Sequence, residues 1–98
     1  MLFAIIRRDH AGAFALRQAT RPVHLEYLAG VEPRIAYGGA LVEAAGEGRQ
    51  IGSILFVEAD SLEEVERLAA ADPFVAAGLF ASTEIVPFRA VFRDGKRI

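Results

Sequence analysis

Residues 51–73 have the sequence IGSILFVEADSLEEVERLAAADP and predict a strand followed directly by a helix. The strand is Ile51–Glu58, a short run rich in β-branched and aromatic side chains. The helix begins at Ser61, because a serine followed three residues later by Glu64 has the spacing of an N-terminal capping box. It ends at Asp72, because a residue that precedes proline is held out of helical geometry.

The first half of the chain has the same order of strand and helix. Leu2–Arg8 predicts a strand that ends in a turn, and Phe14–Val31 predicts a helix from its apolar positions at helical intervals. Pro22 lies inside that helix, so the helix either starts again there or bends just before it. A second strand, Arg34–Val42, and a polar hairpin loop, 44–50, lead to the strand described above.

The C-terminal part of the chain predicts one more strand. A short turn through 74–78 is followed by a strand over about Thr83–Phe92. Pro87 lies within it, and proline in a strand belongs at a sheet edge or a bulge. The remaining residues, 93–98, form a polar tail that we expect to be loosely held.

The predicted order is therefore βαββαβ, and it indicates an α+β fold. On a chain of 98 residues this order is typical of a ferredoxin-like domain, in which an antiparallel four-stranded sheet carries both helices on one face. The chain is too short for two such units, so we expect a single domain over residues 1–98.

The second face of the sheet is also apolar. The first strand has Phe3 and Ile5 on one side but Leu2, Ala4 and Ile6 on the other. A sheet with one face in water would alternate apolar and polar residues, and two helices cover one face only. We therefore expect a symmetric homodimer in which the sheet of one subunit packs against that of the other.

Composition excludes several classes of function. The formal charge of −2 gives no basic patch for nucleic acid, and the absence of cysteine excludes disulfides, thiolate zinc sites and a cysteine nucleophile. The longest apolar run, Phe74–Ala81, is far shorter than a membrane span. Arginines follow the apolar N-terminal residues, the reverse of a signal peptide, so a cytoplasmic protein is expected, with neither a nucleic-acid nor a membrane partner.

His24 and Asp72 are the leading candidates for chemistry. On a helical projection His24 lies within the apolar stripe of the first helix, and Asp72 continues the buried stripe of the second. Because the helices of this fold run antiparallel, the two side chains can meet and form a general acid/base dyad. The alternatives are a core histidine with satisfied nitrogens and an aspartate that caps the segment beginning at Pro73.

Three further residues are candidates for binding a small-molecule ligand. Arg21, like its neighbour Arg17, lies beside His24 on the projection and could bind an anion, although arginines on a helix flank are more often solvated. Tyr37, before two glycines, could line a pocket, and Ser53 is the one hydroxyl in an apolar strand. No metal site and no cofactor are expected from these residues.

Three segments resemble the YCII-related (YciI-like) family of small bacterial proteins. They are RPVHL at 21–25, DPFVAAGLF at 72–80, and PFR at 87–89 followed by Val91 and Phe92. The resemblance implies a dimeric α/β barrel of ferredoxin-like subunits with a His–Asp active site, formed here by His24 and Asp72. It also implies cofactor-free chemistry on small ring compounds, including elimination of chloride. The polar tail departs from the family pattern.

Three functions are compatible with these residues. The first is a small cofactor-independent enzyme of lyase, isomerase or dehydrochlorinase type, in which His24 transfers a proton and Asp72 orients it. The second is a non-catalytic module that binds a small molecule or serves as a dimeric interaction unit. The third is a cofactor-free monooxygenase that uses molecular oxygen.

Overall fold

A computed structural model describes residues 1–98, and the helices and strands follow the predicted order. Their bounds are β1 Leu2–Asp9, α1 Phe14–Val31, β2 Ile35–Val42, β3 Gln50–Glu58, α2 Leu62–Ala70, α3 Pro73–Ala76, β4 Phe80–Phe88, β5 Phe92–Arg93 and β6 Lys96–Arg97. A single 3₁₀ turn, Glu32–Arg34, joins α1 to β2. No helix is long and apolar enough to cross a membrane.

The main sheet has four strands in the order β2-β3-β1-β4, and all neighbours are antiparallel. This is the predicted α+β ferredoxin-like arrangement. The central strand β1 pairs with both β3 and β4, so that Ile5 lies between Leu55 and Ile85. Pro87 lies on β4, which is an edge strand, and the expected position of this proline is confirmed.

Helix α1 continues through Pro22 without a restart. The predicted apolar stripe, Leu16, Val23, Tyr27, Leu28 and Val31, faces inward only in its second half. Leu16 and Val23 are exposed, whereas Arg17 is 5% exposed and is the one fully buried residue of the helix. The expectation of a solvated Arg17 is therefore wrong, because this face of α1 carries polar groups that pair within the protein.

Helix α2 begins after the predicted cap, Ser61, but only one of the two hydrogen bonds of a capping box is formed. The backbone N–H of Glu64 donates to the Ser61 hydroxyl at 3.2 Å. The Glu64 carboxylate accepts from the backbone N–H of Asp60, and this bond, with the Arg34 guanidinium, lowers the pKa of Glu64. Leu62, the first residue of the helix, is 43% exposed.

The C-terminal strand begins and ends earlier than predicted. Gly78 adopts a left-handed φ of 76° that closes the turn after α3, so pairing with β1 already begins at Phe80. The tail is not loose, because β5 and β6 form a small hairpin. Its turn is Asp94-Gly95, both with positive φ, and this dipeptide is a strong hairpin signal that went unused in the sequence analysis.

The core lies between the sheet and the helices. It consists of Phe3, Ile5, Val57, Ala59, Val65 and Ala69. The opposite sheet face has no helix over it and carries the side chains of Leu2, Ile6, Tyr37, Ile54, Phe56, Val86 and Phe88. The accessible surface is 6518 Å², whereas a folded monomer of 98 residues is expected to expose about 5,500 Å².

Candidate active site

The two leading candidates, His24 and Asp72, are in hydrogen-bond contact. His24 Nδ1 lies 3.0 Å from Asp72 Oδ1, with His24 in the middle of α1 and Asp72 at the N-terminus of α3. An ionised carboxylate accepts only, so Nδ1 carries the hydrogen and donates it. The other nitrogen, Nε2, has no hydrogen-bond partner within the protein. Every fully buried side-chain nitrogen of the protein does have such a partner. Nε2 is therefore accessible at the wall of the cavity that His24 lines.

Asp72 is 6% exposed and accepts three hydrogen bonds. Oδ1 accepts from His24 and from the backbone N–H of Phe74 at 3.0 Å, and Oδ2 accepts from Arg7 Nη1 at 3.3 Å. The bond from Phe74 is the N-cap of α3, so both sequence interpretations of Asp72, cap and partner of His24, hold geometrically. Three donors therefore fix the direction of this buried carboxylate.

Arg7 is a buried cation that the sequence analysis missed. It lies on the same face of β1 as Phe3 and Ile5, a position that the two-residue period of the strand could have revealed. Its remaining nitrogens donate to the Ala69 carbonyl at 2.7 Å and to the Thr83 hydroxyl at 3.3 Å. Burial lowers the pKa of Arg7, and the Asp72 carboxylate opposes that shift.

Aromatic side chains hold His24 in place. Its ring stacks on Phe74 with centroids 4.1 Å apart. One turn further along α1, the Tyr27 hydroxyl donates to the Leu68 carbonyl. Burial raises the pKa of Tyr27 to about 12, the nearby Asp72 carboxylate adds to the shift, and Arg7 opposes it. Tyr27 is therefore a neutral hydrogen-bond donor at physiological pH.

Arg17 forms a second buried ion pair beside the first. Its Nε and Nη2 donate to the two carboxylate oxygens of Asp9 at 2.7 and 2.8 Å. The guanidinium lies over the Phe74 ring, 4.7 Å from its centroid. Phe74 thus contacts both Arg17 and His24.

These groups surround a cavity of about 260 Å³. Most of its wall is apolar, which is typical of sites for small organic molecules. The charged residues of the wall are Arg7, Arg17, Arg21 and Asp72. Arg7 is paired with Asp72 and Arg17 with Asp9, so Arg21 is the charged residue of the wall that has no ion-pair partner.

The structure brings most, but not all, of the predicted residues together. Arg21 and Ser53 line the cavity with His24 and Asp72. Tyr37 does not, because it pairs with Phe56 on the opposite sheet face, where it is 73% exposed. The residues that sequence reasoning missed are Arg7, Asp9, Tyr27, Phe74 and Thr83.

Comparison with known proteins gives the family. Residues 1–89 match the YCII-related domain. The chain belongs to the YCII-related family. Protein YciI from Escherichia coli O6:H1 and protein YciI from Shigella flexneri are each 35% identical to this YCII-related chain, over 94% of it and 100% of their own length.

Solved structures agree with this family. The YCII-related chain is similar to 5-chloro-2-hydroxyhydroquinone dehydrochlorinase, TftG, from Burkholderia phenoliruptrix AC1100, in a complex with 2,5-dihydroxybenzoquinone. The TM-score is 0.85 with 36% identity, covering 91% of this chain and 94% of TftG. Protein Atu4242 from Agrobacterium tumefaciens, with a TM-score of 0.53 and 16% identity over the full length of both chains, shares the fold alone.

Proposed function

We propose that this protein is a small cofactor-independent enzyme in which His24 acts as the general acid and base on a small, ring-containing organic molecule. The observation that carries the proposal is the 3.0 Å contact between His24 Nδ1 and Asp72 Oδ1, which leaves Nε2 free at the cavity. The Asp72 carboxylate fixes the tautomer and stabilises the protonated ring.

The reaction begins with removal of a substrate proton by Nε2. The electron pair left on the substrate either takes a proton back at another atom, which is isomerisation, or expels a leaving group, which is elimination. When chloride leaves with its bonding electrons, the net change is loss of HCl, and no electron passes to another molecule. The likeness to TftG supports the eliminating reaction and makes 5-chloro-2-hydroxyhydroquinone the first substrate to assay.

The first test is substitution of the proposed dyad. His24→Gln and Asp72→Asn are expected to lower kcat by about 10²- to 10⁴-fold, the usual contribution of a positioned acid/base group. Circular dichroism and the melting temperature check that both variants remain folded. His10→Gln is the matched control, because His10 is the other histidine of the chain and lies exposed in the turn after β1. Equal turnover in His24→Gln and His10→Gln would contradict the proposal.

A second candidate function is a non-catalytic module that binds the same class of molecule. The observation that favours it is the packing of His24, whose side chain is 16% exposed and stacks on Phe74. In this case a ligand raises the melting temperature and is recovered unchanged after incubation. Product analysis by mass spectrometry separates this function from the enzyme, and parallel incubations without oxygen separate both from a monooxygenase.

The functional unit is a homodimer that packs sheet against sheet. The uncovered face carries the aromatic row Tyr37, Phe56 and Phe88, in which neighbouring ring centroids are 6.5 and 4.5 Å apart. The surface in excess of the monomer expectation is on the order of 1,000 Å², close to the roughly 800 Å² that each partner buries in a standard interface.

A further inference from the structure

Arg17 keeps one nitrogen free although its side chain is only 6% exposed. Nε and Nη2 are both bonded to Asp9, and Nη1 has no protein partner. Every fully buried side-chain nitrogen of the protein has a hydrogen-bond partner, so a nitrogen without one, such as Nη1, is not fully buried. Because Arg17 lines the cavity beside His24, Nη1 is a hydrogen-bond donor presented to whatever occupies that space.

The charges around the cavity favour an anion at this donor. Asp9, which neutralises Arg17, does not line the cavity, and the oxygens of Asp72 are already engaged by His24, Phe74 and Arg7. A charge-assisted hydrogen bond from a guanidinium to an oxyanion is about twice as strong as a neutral one. Burial among apolar side chains strengthens it further, because water competes less.

Phe74 packs against both the anion donor and the proposed base. The Arg17 guanidinium lies 4.7 Å and the His24 ring 4.1 Å from the centroid of this one phenylalanine. The proposed anchor and the proposed base therefore belong to one packed cluster around Phe74.

We infer that Arg17 Nη1 is the anchor for an organic oxyanion, so that the cavity takes a small ring compound bearing a carboxylate or phenolate oxygen. This inference rests on the proposed function and deepens it, because it assigns the chemical class of the substrate and the group that orients it. Arg17 binds the ligand and takes no part in proton transfer.

The test is calorimetric binding of two ring compounds of the same shape at pH 7, benzoate and benzamide. Benzoate is expected to bind at least tenfold more tightly than benzamide, since a hydrogen bond to a charged group contributes about one tenfold factor or more. This comparison uses the wild-type protein and needs no variant to fold. Equal affinities for the two compounds, or no binding of benzoate, would overturn the inference.

Variants then assign the effect to Arg17. Arg17→Lys keeps a cation beside Asp9 but cannot bond Asp9 and the ligand in the same forked geometry, so its benzoate affinity should fall about tenfold or more. Arg67→Gln, which removes a cation from the exposed side of α2, should bind benzoate as the wild type does. If Arg17→Lys is unstable, the double variant Arg17→Met with Asp9→Asn removes the ion pair without leaving a buried charge. Unchanged benzoate binding in a folded Arg17 variant overturns the inference.

The outcomes also separate this inference from the proposed function. Benzoate binding at Arg17 without turnover of any substrate refutes the enzyme and leaves the anchor standing. Turnover that depends on His24, together with equal binding of benzoate and benzamide, refutes the anchor and leaves the enzyme standing.

Discussion

At the scale of single residues, the stability of the site depends on the two ion pairs that compensate its buried guanidinium groups. Arg7 pairs with Asp72, and Arg17 pairs with Asp9. A buried charge that loses its partner costs several kcal/mol, whereas the intact pair contributes much less than that. The contribution of each ion pair to the free energy of unfolding can therefore be measured by substituting one partner of the pair.

Arg7→Met is expected to lower the free energy of unfolding by about 3 kcal/mol at pH 8, because it leaves the Asp72 carboxylate buried without its guanidinium. Urea denaturation measures the difference from the wild type. Arg8→Met, at the adjacent exposed position of β1, is the control and should change stability by less than about 0.5 kcal/mol. Equal losses for the two variants would contradict this account.

Tyr27 gives a pH-dependent prediction. In a Tyr37→Phe protein, absorbance titration of the remaining tyrosine should show ionisation of Tyr27 near the raised pKa of about 12, against about 10 for an ordinary tyrosine. The unfolded chain loses this proton near pH 10 while the folded chain keeps it. The free energy of unfolding should therefore fall from pH 10 to pH 12. The difference between wild type and Tyr27→Phe isolates this contribution from the other groups that titrate there, Arg7 included.

At the scale of helices and strands, the sequence predicted the order and type of the main elements because their periodicity is strong. The residues of β3 and the cap at Ser61 are examples. The inward face of α1 was harder to predict. The predicted stripe included His24, and the structure places His24 on the inward face. It did not include Arg17, because an arginine carries no local signal that a carboxylate, here Asp9, will pair with it when it is buried.

The same limit explains what sequence could predict of the candidate site. His24 and Asp72 could be paired because the topology sets antiparallel helices side by side. Tyr37 was assigned to the pocket from glycines that follow it, yet the strand's alternation places it opposite Phe56 on the other face. Placing Tyr37 on the correct face requires the register of β2. That register shifts between Ile35 and Tyr37, and the local sequence pattern does not encode the shift.

Pro22→Ala tests the continuity of α1. The proline removes a backbone donor that would otherwise reach the carbonyl of Gln18, and an interior proline costs about 3 kcal/mol. Part of this cost is offset because proline also restricts the unfolded chain. Pro22→Ala should therefore raise the free energy of unfolding by about 1 to 2 kcal/mol, seen as a higher urea midpoint at an unchanged slope. Pro73→Ala, at the first position of α3, is the control and should give no gain.

At the scale of the whole molecule, the isolated chain is less compact than a monomer of its length is expected to be. The radius of gyration is 14.0 Å, against about 12.6 Å expected for a chain of this length. Only 13 of 98 residues are buried, and the sheet face that carries Phe56 has no helix over it. These quantities support the proposed homodimer.

Sedimentation equilibrium at micromolar concentration should give the mass of two chains. Phe56→Glu places a charge in the middle of the uncovered face and is expected to give the mass of one chain. Leu62→Glu, which makes the same kind of change at an exposed position of α2, should leave the mass of two chains. A wild-type protein that sediments as one chain would contradict the proposed dimer.

One oxygen, Asp72 Oδ1, accepts both from the first turn of α3 and from the imidazole of His24. Selection for a correctly formed loop is thus enough to preserve this aspartate in a relative that has lost all turnover. The histidine caps no helix, since its ring only stacks on Phe74 and donates to Asp72. Under the proposed function, the histidine is therefore the better marker of catalysis in related sequences, and the aspartate marks retention of the turn.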